Sequence, residues 1–409
     1  MKSPPAEIRT GELLSALAAR GIEYRAHIED DVGALVDATV VAHHLQHSNA
    51  LSILVAPAPL PLDRVRHDRP TRSFIASGPW IESLPATECD GASGCYLALQ
   101  RALSGEMEVP DIAVHNGVAA VARDLGRPDV EFIIPHKGSY AHLDVCLAGV
   151  RSQSMDCIAS VCLDEPIDAW PTPTDRRVRH YRAEDPPVGP YAIRQFLAMN
   201  SSADYLAFQD SDDFSVRSRL AELVTACVDS GADIVGCHEL RLDEIEQAVI
   251  PVRFPLDVNA ALREVAGHPQ LFPTTVTRAA TFKRIGGLST IRTFGGDTEY
   301  LLRAHFLARI INIDRFLYIR RRRQGSLTTA PETALGSPVR VELGRIWRKD
   351  FEDVKSGQLA LEQSSLALRH GAPVRIIATG PGASDGKPAR SGAEESRPLT
   401  TGEREGRVH

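Results

Sequence analysis

At 409 residues, and about 150 residues to a domain, the chain has room for two or three globular units, so a small scaffold held by disulfides is excluded. Its 43% hydrophobic and 24% charged residues are ordinary for a protein that buries a core. With 53 acidic against 46 basic side chains the formal charge is −7, which excludes a general nucleic-acid coat and predicts no nucleic-acid partner.

The opening MKSPPAEIRTGELL puts no long apolar stretch behind its lysine, which argues against a secretory signal. No run reaches about 18 apolar residues, so no transmembrane segment is expected. The seven cysteines, at 89, 95, 146, 157, 162, 227 and 237, are odd in number and lack C-x-x-C spacing. Several lie in apolar runs, as free thiols in a reducing compartment do. The expected location is cytoplasmic, with peripheral membrane contact left open.

Residues 1–125 form an N-terminal accessory region. Leu13, Leu14 and Leu17 predict a helix over 11–20, residues 38–47 a second helix, and the proline-stopped run 51–56 a buried strand. Periodicity sharpens after Asp129. Residues 130–135 predict a β-branched strand, Leu143, Leu147 and Val150 a helix stripe, and residues 158–163 the next strand, ending at Asp164 and Glu165. Strand, helix, strand with polar groups at the carboxyl end is the grammar of an α/β sheet whose ligand crevice lies there.

Residues 204–209 repeat this grammar and run directly into Asp210, Ser211, Asp212 and Asp213. Ser215 is the expected cap of a helix with the apolar face Val216, Leu220, Leu223, Val224, Cys227 and Val228, and Gly231 its stop. Residues 126–330 are therefore expected to form one α/β domain with a central mixed sheet, and 331–370 a helical extension. From 371 the chain has almost nothing large and apolar after Ile377 and reads as a disordered tail over 371–409.

Three acids in four residues on a strand-to-helix turn repel one another unless a cation or donors compensate. A hard divalent ion, Mn²⁺ or Mg²⁺, does so with oxygen ligands and keeps positions open for substrate phosphates. The other reading is that the acids cap the next helix and face water.

Taken together, several blocks resemble the inverting glycosyltransferases of the GT-A fold, family 2 type. They are residues 132–138 (FIIPHKG), Asp164-Glu165, residues 189–195 (GPYAIRQ), residues 205–213 (YLAFQDSDD), residues 282–288 with 295–303 (GGDTEYLLR), and the arginine-rich 318–328. The resemblance covers about residues 130–330 and implies metal-dependent sugar transfer from a nucleoside diphosphate sugar to an acceptor hydroxyl, with inversion. The acceptor class, whether glycan, lipid-linked or small molecule, is not encoded in any readable form.

By the same resemblance, Asp212 is the metal ligand, with Asp210 touching the metal or the ribose. Pro135, Asp164 and Arg194 bind the donor, Asp164 through the nucleobase. Asp297 is the general base and Glu299 its reserve, although Asp297 can equally cap a helix starting near Thr298 and Glu299 can be an ordinary first-turn acid. The Arg320–Arg323 run reads first as a solvated face. Three positions depart from the pattern: Gln195 replaces asparagine, Gly296 replaces the first acid of a Glu-Asp pair, and Gln324 stands where histidine is frequent. Two other classes compete. A nucleotidyltransferase would favour a richer glycine loop than the single Gly138 supplies, and a noncatalytic sugar-nucleotide or glycan-binding module would suit the acid missing at Gly296.

Overall fold

The computed structural model describes residues 17, 19, 24–28, 38–46, 49–57, 62–77, 93–126, 128–165, 175–331 and 333–379. Most of the helix expected over 11–20 lies outside these residues, as does the chain beyond 379. The alternation read from sequence appears as two sheets. The smaller one is N-terminal and orders its strands β1 (Tyr24–His27), β4 (Phe74–Ser77), β2 (Ala50–Leu54) and β5 (Asp111–His115). Helices α1 (Ala38–Leu45) and α2 (Gly94–Ala102) belong to this unit. Its third strand in chain order, β3 (Arg66–His67), leaves it to pair with the large sheet through β12 (Ala248–Arg253).

The large sheet holds eleven strands among the described residues. At its centre β9 (Tyr205–Phe208), β6 (Val130–His136), β7 (Ile158–Leu163) and β8 (Val178–Ala183) run parallel. Antiparallel β13 (Val276–Arg278) joins β9 to β11 (Ile234–Asp243), which pairs in parallel with the long β14 (Ile310–Arg322). The short β10 (Phe214–Ser215) closes one edge against β14. The mixed sheet and the smaller N-terminal α/β unit are the expected architecture.

Period-two alternation divides the core. Phe132 and Ile134 of β6 pack on one face with helix α3 (Tyr140–Arg151) and helix α5 (Arg219–Ser230). Ile133 packs on the other face with helix α4 (Pro190–Asn200), helix α6 (Val258–Glu264), helix α7 (Ala279–Ile285) and helix α8 (Gly296–His305). The last helix, α9 (Pro338–Lys355), adds Trp347 and Phe351 to that second face. Leu51, Phe74, Leu99 and Leu103 of the N-terminal unit lie in the same buried cluster as Phe132 and Leu317.

Two local expectations need correction. Ser215 does not cap a helix: it is a strand residue, and α5 begins at Arg219 after Ser218, so Val216 is buried ahead of the helix and Val228 is 43% exposed. Gly231 does end that helix, at φ 69°. The tail expected to be disordered from 371 contains a strand, β15 (Ile376–Thr379), which pairs antiparallel with β8 and buries Ile376. Cys95, Cys146, Cys162, Cys227 and Cys237 are free and buried, and burial pushes the Cys227 and Cys237 thiols up to about 12.

Candidate active site

Parallel strands that end together bring their following loops together. The ends of β7, β6 and β9 carry Asp164, His136 and the turn Asp210–Asp213. Asp164 N–H donates to the His136 carbonyl at 2.8 Å, and His136 Nδ1 lies 2.9 Å from Ser211 Oγ, so the three strand ends are joined laterally. Pro135 is buried within β6, paired with Cys162.

Helix α4 supplies the next layer. Its entrance is fixed by Asp164, whose two carboxylate oxygens accept Val188 N–H at 2.6 Å and Gly189 N–H at 2.9 Å. Asp164 is 4% exposed, so much of its carboxylate is spent on holding this helix. The first turn then presents Tyr191 and Arg194. Arg194 pairs with the Asp210 carboxylate, and its guanidinium lies 5.9 Å from the Tyr191 ring centre. The Tyr191 hydroxyl donates to Asp297 Oδ1 at 3.0 Å. One helical turn thus links Asp210 to Asp297, two residues that the sequence places 87 apart.

Asp297 is not a helix cap. α8 begins one residue earlier, at Gly296, and Asp297 accepts the N–H of its own neighbour Thr298 at 2.9 Å. Burial pushes its pKa up, but His268, the Thr298 amide, the Tyr191 hydroxyl and Arg194 outweigh that and hold the carboxyl below the usual carboxylate range. The missing acid at Gly296 has a steric reason. A Cβ there would lie 3.0 Å from Tyr191 Cγ, and one at Gly295 would lie 2.9 Å from Trp347. The two glycines are pressed between aromatic rings, and an acid at 296 would displace the tyrosine that positions Asp297.

Glu299 is not brought to this group. It is 1% exposed, takes a hydrogen bond from Ser289, and pairs with Arg292 and Arg303, each at 3.1 Å. Gln195 uses its amide locally, accepting Leu288 N–H at 2.7 Å and donating to the Gly286 carbonyl at 3.0 Å. Gln324 is exposed.

The arginine run is not a solvated face. Arg320 pairs with Glu239 at 3.6 Å, Arg321 with Glu244, Arg322 with Asp243 at 2.7 Å, and Arg323 with Asp212 Oδ2 at 3.1 Å. Burial opposes the Arg320 charge, yet Glu239, Asp213 and Asp210 raise its pKa. Sequence reading misses these partners because they lie 77 to 111 residues away; only the alternation of β14 hints that successive arginines face different neighbours.

Within the turn, burial pushes the Asp210 carboxyl up; Arg194 opposes this and Asp212 adds to it. Asp213 is 3% exposed, accepting Tyr318 O–H at 2.7 Å and Arg321 N–H at 2.8 Å. Burial, then Asp212 and Asp210, raise its pKa well above the ordinary value. The folded chain therefore binds this proton more tightly than the unfolded chain, and ionised Asp213 costs stability above the ordinary carboxylate pKa. Asp213→Asn is expected to raise Tm at about pH 7, with the gain fading as the pH falls towards about 4. A lower Tm at neutral pH in a thermal melt would overturn this sign.

Among the described residues no group of three or more His, Cys, Asp or Glu side chains is arranged to hold a metal ion. Two carboxylates with substrate phosphates and water suffice for Mg²⁺ or Mn²⁺, and Asp210 and Asp212 offer hard oxygens in a turn where repulsion already raises Asp210. The donor set fits such an ion. Among the described residues no helix is long and apolar enough to cross a membrane.

Solved structures with a distant likeness are known. Residues 1–349 of S. aureus TarS in complex with UDP-GlcNAc match at a TM-score of 0.41 and 17% identity, over 48% of this chain and 60% of that one. Another structure of S. aureus TarS residues 1–349 matches at 0.39 and 14%, over 57% and 74%. A longer TarS structure matches at 0.39 and 16%, over 47% and 37%. This chain thus spans about three fifths of the first TarS fragment. No family model and no curated protein matches it.

Proposed function

We propose that the chain is an inverting glycosyltransferase, moving a sugar from a nucleoside diphosphate sugar to an acceptor hydroxyl. The observation that carries this reading is the first turn of α4, where Arg194 meets Asp210 and Tyr191 meets Asp297, so that an acidic turn and a separate carboxylate are joined through one helix end. The domain division at about 125 and 330 and a cytoplasmic location belong to the same proposal.

In this reading Asp210 and Asp212 hold the ion at the diphosphate, Pro135 and Asp164 border the nucleotide, and Arg194 moves between Asp210 and a phosphate oxygen. A bound Mn²⁺ or Mg²⁺ supplies Lewis-acid neutralisation of the departing diphosphate. Asp297 accepts the acceptor's proton as that oxygen attacks the anomeric carbon and the bond to the diphosphate oxygen breaks. Held below the usual carboxylate range, Asp297 is ionised at neutral pH and has a lone pair free to take a proton. Attack by the acceptor itself inverts the centre and needs no covalent sugar intermediate.

Thermal shift with UDP-, GDP- and dTDP-sugars, with and without Mn²⁺, tests the reading, because a ligand selective for the folded state raises Tm. A selective, Mn²⁺-enhanced shift followed by transfer is expected. Binding without transfer or donor hydrolysis would favour the noncatalytic module, and release of sugar 1-phosphate, the group left behind when the nucleoside monophosphate is transferred, a nucleotidyltransferase.

A further inference from the structure

Arg321 is 8% exposed and lies at the end of β14, where three parts of the chain meet. Its Nη2 donates to the carbonyl of Leu103, the residue that ends α2 of the N-terminal unit, at 2.7 Å. Its Nη1 pairs with Glu244, just beyond β11. Its Nε donates to the backbone carbonyl of Asp212 at 3.3 Å, and its own N–H holds the Asp213 carboxylate at 2.8 Å. All three guanidinium nitrogens are engaged within the protein. Arg323, by contrast, meets the Asp212 carboxylate directly.

A carbonyl held at Asp212 and a side chain held at Asp213 restrain the peptide plane between them, and with it the backbone from which the Asp212 side chain leaves. The Leu103 contact is itself wedged. Gly105, at φ 78°, would place a Cβ 3.2 Å from both the Cβ and the carbonyl oxygen of Ala141, in the first turn of α3. Without the Leu103 carbonyl, a buried guanidinium N–H would lose its acceptor, and the side chain would turn to find another.

We propose that Arg321 is a positioning residue for Asp212, and that the N-terminal unit sets its aim through the Leu103 carbonyl. This rests on the reading that Asp212 serves the donor diphosphate. The N-terminal unit then has a part in the chemistry although it contributes no reacting group.

The test is calorimetry of the full chain with UDP, GDP and dTDP, each with Mn²⁺, alongside thermal melts. Arg321→Lys keeps the charge but cannot reach all three acceptors at once. Gly105→Val displaces the loop carrying Leu103, and Gly105→Ala is the milder form should valine prevent folding. Each is expected to weaken diphosphate binding, by about 10- to 100-fold for Arg321→Lys. Glu244→Gln removes an ion pair but leaves the Leu103 and Asp212 contacts, so it is expected to lower Tm while holding affinity within about twofold. Affinity that follows Tm across all these variants, or Arg321→Lys and the Gly105 variants binding like the parent while Asp212→Asn does not, would overturn the positioning role. A parent that binds none of the three diphosphates, or an Asp212→Asn variant that binds as the parent does, would instead remove the reading beneath it.

Discussion

Asn in place of Asp297 is expected to lower sugar transfer by about 100-fold or more at saturating donor, with donor affinity close to that of the parent. Asparagine keeps the side-chain volume and one oxygen, and a single oxygen, Oδ1, accepts both the Thr298 N–H and the Tyr191 hydroxyl in the parent, while Asp297 does not cap α8. What asparagine lacks is the capacity to take the acceptor's proton. Steady-state rates measured beside donor affinity separate chemistry from binding, and near-equal rates for the two proteins would take Asp297 out of the mechanism. Glu299 is a poor substitute as it stands, because its carboxylate is buried between Arg292 and Arg303. Residues two apart on a helix project about 200° from each other, so a helix that turns Asp297 to Tyr191 turns Glu299 away.

Asp212→Asn is expected to remove most metal-dependent donor binding, weakening it by about 100-fold, while the chain stays folded. Asp212 pairs through its side chain with Arg323 near the surface, a contact worth little to stability. As a carboxylate offered to a divalent ion it carries far more, since the neutral amide is a weak ligand for a hard cation. Calorimetry with donor and Mn²⁺ reads the effect, and an unchanged affinity and rate would rule out the ligand role.

Much of the large sheet is legible because buried parallel strands are short apolar runs bounded by turn residues, and residues 130–135, 158–163 and 205–208 are such runs. The convergence of His136, Asp164 and the acidic turn follows from the same pattern, since parallel neighbours end on one side. Ser215 reads as a cap in the sequence because a serine ahead of an apolar stripe satisfies that rule locally. In the fold its hydroxyl instead donates to Gln209 at 2.7 Å and accepts from buried Arg219. The pairing of Arg320–Arg323 was hidden for a different reason: β11 and β14 are parallel and far apart in the chain, and no local rule reports which acids such a crossover places opposite. The role of Tyr191 was equally invisible, although Gly295 and Gly296 were a clue that something large approaches that loop.

The strand Ile376–Thr379 gives the far end of the chain a duty that its composition conceals. By pairing with Val178–Ala183 it occupies the hydrogen-bonding groups along one side of that strand. A protein shortened at His370, a natural choice for anyone trimming a glycine-rich terminus, would leave those groups open to the matching strand of another molecule. Shortened after Thr379, it keeps its own cover. The difference of nine residues decides which strand forms that edge of the sheet, the six-residue Val178–Ala183 or the four-residue Ile376–Thr379.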